Sequence, residues 1–170
     1  MSNILLPIVY LLINLLFGLT LLMFSHRILS RALHNKLGIL PQSLVFNILA
    51  GAVMLSLALL ISQGSGPMIS MIQHFSQHQN SGWILHSAGY LLAFYCLSCV
   101  FAYLTIAGSV RIFHRLTGDL DENNELRQGN VGVALLLGIL ILSITMLIKS
   151  PLVALFEALI PYPDLSYGAF

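Results

Sequence analysis

Charge is the scarcest feature of this chain. Of 170 residues only 8% are Asp, Glu, Lys or Arg, while 58% are hydrophobic. Soluble domains carry about 25% charged residues, so a catalytic globular domain and a disordered tail are both excluded. Seven Lys/Arg against six Asp/Glu leave a net charge of +1. That balance offers no polyelectrolyte face, and no nucleic-acid partner is expected. Two cysteines rule out a disulfide framework. There is no glycine-rich nucleotide loop, and no Ser/His/Asp arrangement has a soluble scaffold to hold it. Neither enzymatic activity nor a bound cofactor is expected. No ionisable residue lies deep in an apolar run, which argues against a proton relay.

What the chain has instead is long apolar runs and a mean hydropathy of +0.91. A helix needs about 20 apolar residues to cross roughly 30 Å of hydrocarbon. Segments 4–24, 44–61, 83–110 and 131–148 qualify, and none contains Asp, Glu, Lys or Arg. The expected fold is an all-α integral membrane protein with four transmembrane helices. The first run has an uncharged Met1-Ser2-Asn3 lead and no small-x-small cleavage site before His26. It is therefore expected to be retained rather than cleaved as a signal. Arg27, Arg31 and Lys36 fall in one connection, Arg111, Arg115 and Arg127 in another, and Lys149 stands alone on the opposite side. By the positive-inside rule both basic connections are cytoplasmic and both termini lie outside, which is periplasmic in a bacterial inner membrane.

The chain repeats at about 87 residues. Phe24-Ser25-His26-Arg27 returns as Ile112-Phe113-His114-Arg115, and Gly51-Ala52-Val53-Met54-Leu55-Ser56 as Gly138-Ile139-Leu140-Ile141-Leu142-Ser143. Each second span is followed by a proline and an amphipathic stretch. This predicts two parallel halves, 1–82 and 83–170, with short outer segments at 66–75 and 151–160. His26 and His114 then sit at matching depths on the cytoplasmic side.

Several polar groups are candidates for function. The pairs His26-Arg27 and His114-Arg115 either end a span with a snorkelling arginine, or bind an anionic headgroup or a partner's acidic face. In a sharper version the two histidines are axial ligands of one haem. Asp119, Asp121, Glu122 and Glu125 precede Asn130, where negative charge and an Asn cap both favour a helix start. With Arg127 they are also the densest charge available to a cytoplasmic partner. Asn14 and Gly18, Gly89 and Ala93, and Ala134 and Gly138 each lie four apart, and Gly51 heads the repeated motif. Small residues at that spacing let helices approach closely, within one chain or between copies. Cys96 and Cys99 read as packing thiols, since a redox pair needs an accessible interface. His74 and His78 are spaced i,i+4 without a carboxylate nearby, so no metal site is expected.

The stretch Glu125-Leu126-Arg127-Gln128-Gly129-Asn130-Val131-Gly132-Val133-Ala134, with Gly138 following, resembles the domain-of-unknown-function 350 family of small bacterial inner-membrane proteins. The resemblance covers the second half. In the first half Asn47 lies four residues from Gly51, where Asn130 lies eight from Gly138. It implies an inner-membrane location, duplicated pairs of spans and a setting in envelope stress or defence.

Three functions are carried forward. The first is a homo-oligomeric membrane component that couples to a cytoplasmic protein through its charged connections. The second is a channel between subunits lined by Asn14, Thr20, Ser143 and Thr145. The third is a haem-carrying redox anchor. The lipid bilayer is the one partner common to all three.

Overall fold

A computed structural model describes residues 2–77, 83–118 and 121–160. Every regular element among them is a helix. They run α1 (Ser2–Leu37), α2 (Leu44–Gln63), α3 (Ser65–Gln77), α4 (Trp83–Thr117), α5 (Glu122–Arg127) and α6 (Val131–Leu159). Four helical stretches are long and apolar enough to cross a membrane, in α1, α2 continuing into α3, α4 and α6.

Helix ends follow from local chemistry. The Ser43 side chain accepts from the Phe46 backbone N–H at 3.1 Å and starts α2. Gly38 and Gly118 end α1 and α4 at φ +65° and +57°, a conformation that costs a side-chain-bearing residue roughly 1 kcal/mol. The helices extend beyond the runs expected from hydropathy. With 36 residues α1 is about 54 Å long, so His26, Arg27 and Arg31 stand on continuous helix rather than in a loop.

The outer segments also differ from expectation. Residues 151–160 do not form a separate element, because α6 continues through Pro151. The segment 66–75 does fall within a helix of its own, α3, set off from α2 at Gly64. Its Met68 and Met71 are buried, so it belongs to the bundle.

At the centre α2 and α6 make the most extensive helix pair, α4 packs against both, and α1 lies mainly along α2. Gly138 meets Ala52 and Ile48, while Thr145, further along, meets Ser56. The two helices therefore run side by side in the same direction. One apolar cluster joins Leu60, Met71, Phe94, Leu152 and Phe156. The other joins Phe46, Leu49, Phe113, Leu126, Ala134 and Ile141. Each cluster draws on both halves of the chain, so neither half encloses a core of its own.

Candidate functional site

The densest polar constellation is the turn joining α4 to α6. In its last turn before Gly118, α4 presents His114 and then Thr117. The Glu122 carboxylate closes on both: its Oε1 accepts from the Thr117 hydroxyl, and its Oε2 lies 3.0 Å from His114 Nδ1. The Thr117 hydrogen bond chiefly holds the Glu122 carboxyl below its ordinary pKa, with the His114 hydrogen bond and charge adding to it. The carboxylate side chain is only 14% exposed, while the imidazole is 71% exposed. Asp121 caps α5 by accepting from the Asn124 backbone N–H at 3.3 Å. Glu125 accepts from Asn130 Nδ2 at 2.7 Å. Asn130 Oδ1 in turn accepts from the Gly132 and Val133 backbone N–H groups at 3.0 and 3.4 Å, capping α6.

The expected Asn cap is therefore present, and all three of these acids are engaged in building the turn. Asp119 lies outside the described residues. Leu126 anchors α5 in the second apolar cluster, where Leu29 and Leu33 of α1 also pack. This brings the far end of α1 to the same end of the molecule. Arg127 lies in the last turn of α5 and is exposed. On α1, His26 and Arg27 are exposed, and the His26 ring meets Phe46 edge-on at 5.7 Å. His26 and His114 thus have different partners, an aromatic edge and a carboxylate.

A second constellation lies toward the other end of α1. A groove of about 550 Å³ is lined by Leu11, Asn14, Leu15 and Leu22 of α1 with Ile61 and Ile69. Gly18 opens it, since a Cβ there would meet nothing within 4 Å. The Tyr95 hydroxyl donates to Asn14 Oδ1 at 2.6 Å, and Phe17 stacks on the Tyr95 ring at 4.6 Å. Sequence reasoning named Asn14 but missed Tyr95. The available signal was a tyrosine within an apolar run, whose hydroxyl needs a partner.

The small residues separate into two sets. Ala134 is fully buried, and Gly138 meets Ala52 across the α2–α6 contact. Gly18, Gly51 and Gly89 have no neighbour within reach of an added Cβ, so close internal packing does not account for them. Thr145 is also fully buried, 2.6 Å from the Ser56 hydroxyl. It faces the bundle interior and does not line an outward surface with Asn14 and Thr20. Thr20 itself donates to the Leu16 carbonyl on its own helix. Cys96 is exposed, Cys99 is half-buried, and both are free thiols.

Among the described residues no three His, Cys, Asp or Glu side chains gather as a metal-ligand set. His78 and the side chains of His74 and His86 lie outside the description. No family model, curated protein or solved structure matches the chain.

Proposed function

We propose that the chain is a non-enzymatic, multi-pass protein of the bacterial inner membrane that self-associates and docks a cytoplasmic protein on the turn between α4 and α6. Its termini are periplasmic and its arginine-rich end is cytoplasmic, a reading that rests on six of seven Lys/Arg falling in the two basic connections. The resemblance to the domain-of-unknown-function 350 family suggests envelope stress or defence as the setting.

The observation that carries this reading is the construction of the turn. Three carboxylates are spent on holding a six-residue helix in place, and Leu126 roots that helix in the core. The outward side of α5 presents Asn123, Arg127 and Gln128, and a surface held in one conformation loses little entropy when a partner docks. Self-association is supported by Gly18, Gly51 and Gly89, which are among the glycines without a neighbour within reach of an added Cβ.

The test is site-specific photocrosslinking in cells at Asn123 and Gln128, both exposed. Exposed Ser62, toward the opposite end of α2, is the control. One adduct of distinct mass is expected from the α5 positions and not from Ser62. Adducts only between copies of the chain, or none, overturn the docking role.

A further inference from the structure

Acids and arginines at the α5 end of the molecule are in opposite situations. Asp121, Glu122 and Glu125 all have hydrogen-bond donors from within the turn. Arg27, Arg31, Arg111 and Arg115 are exposed, and no described carboxylate pairs with any of them. Among the described residues, then, no carboxylate neutralises these four guanidinium groups.

Their placement says which kind of anion suits them. Arg27 and Arg31 are four apart on α1, and Arg111 and Arg115 are four apart on α4, so each pair shares one helix face. Behind the first pair that face continues as Met23 and Leu16, exposed at 62% and 69%. Behind the second it continues as Leu104 and Val100, exposed at 54% and 52%. Each cationic pair thus crowns a bare apolar stripe on a helix long enough to span a bilayer. An acidic peptide in the cytoplasm would answer the charge and leave the stripe uncovered. A lipid with an anionic headgroup answers both.

The choice of residue points the same way. Lysine satisfies the positive-inside rule as well as arginine does, yet all four positions are arginine. The planar guanidinium fork matches phosphate oxygens in a way an ammonium does not.

We propose that Arg27 with Arg31, and Arg111 with Arg115, form two binding sites for anionic phospholipids. Each pair holds a headgroup phosphate, and the acyl chains lie along the apolar stripe of the same helix. The sites rest on the multi-pass reading but not on partner docking at α5, which uses other residues.

The test is native mass spectrometry of the full chain released from mixed micelles containing equal phosphatidylglycerol and phosphatidylethanolamine. Two retained phosphatidylglycerol molecules per chain are expected. Arg27→Gln/Arg31→Gln should lose one and Arg111→Gln/Arg115→Gln the other. The preference should fall roughly fivefold per arginine removed, the equivalent of about 1 kcal/mol each. Lysine at the same positions should restore only part of it, and unchanged helical circular dichroism shows that each variant is folded. Equal retention of both lipids, or variants that keep the preference, overturns the sites. So does displacement of the lipid by an acidic peptide, which would assign the arginines to a protein partner. Recovery of the chain in the aqueous phase without detergent sinks the multi-pass reading itself, a distinct failure.

Discussion

At the scale of single residues, Glu122 is the side chain with the clearest consequence. Its carboxyl is held below its ordinary pKa, first by the Thr117 hydroxyl and then by His114. A depressed folded-state pKa means that the ionised form stabilises the turn. That contribution is complete above the ordinary carboxylate range, about pH 4. It is lost as pH falls through the lower folded-state value. Thermal unfolding of the detergent-solubilised protein should therefore show melting temperature falling with acid, and Glu122→Gln should flatten that fall while lowering the melting point at neutral pH. An acid limb that survives Glu122→Gln would mean other carboxylates dominate. The sequence marked Glu122 as part of an acidic cluster without revealing its partners. The reach from Glu122 back to Thr117 and His114 depends on how the chain reverses at Gly118, and residue spacing does not specify that path. Ser56 and Thr145 illustrate the same gap at longer range: both hydroxyls are ordinary members of apolar runs, and only the α2–α6 contact pairs them.

At the scale of elements, the four long apolar helices were legible because about 20 consecutive apolar residues are what a helix needs to cross a bilayer. Their ends were less so. Pro151 reads as a break, since proline removes one backbone donor and crowds the preceding turn. The helix nevertheless continues, and Leu152 and Phe156 beyond the proline are almost fully buried. Tertiary packing of one face supplies the stability that local propensity lacks. Between α2 and α3 the junction is Gly64, closely approached by Met68 and Phe156, and there the helix does divide. The start of α6 was readable in advance because an Asn cap is a local device. Asn130→Ala should cost about 1 kcal/mol for the cap alone, with a further loss because Glu125 would be left without its amide donor. Asn130→Ser should recover the cap but not the longer reach to Glu125. Unfolding titrations in mixed micelles would rank wild type above Ser and Ser above Ala. Equal stability of Ser and wild type would mean that the Glu125 contact contributes nothing.

At the scale of the whole molecule, the four long helices are unequally committed to the bundle. α2 and α6 form the central pair, whereas α1 leaves most of its apolar surface bare and lies along α2, held by Phe17, Leu21 and Leu22 on one cluster, Leu29 and Leu33 on the other, and the Asn14–Tyr95 hydrogen bond. The small-residue pairs looked alike in sequence, because spacing reports which residues share a face but not what that face meets. Structure distinguishes them: Gly138 lies against Ala52, and Gly18 opens on an empty groove. Substitution by leucine should therefore have opposite consequences at the two sites. Gly138→Leu must wedge α2 from α6 where Gly138 faces Ala52 and Ile48, and overpacking of this kind costs typically 1–3 kcal/mol. Gly18→Leu places its side chain in open space, so the single chain should keep its stability. If the face of α1 around Gly18 is where copies meet, the same change should abolish inter-chain crosslinks. Measuring unfolding and crosslinking on both variants separates the roles. A Gly18→Leu variant that is fully stable and still crosslinks would remove α1 as the self-association face and leave Gly51 and Gly89 as the remaining small-residue contacts.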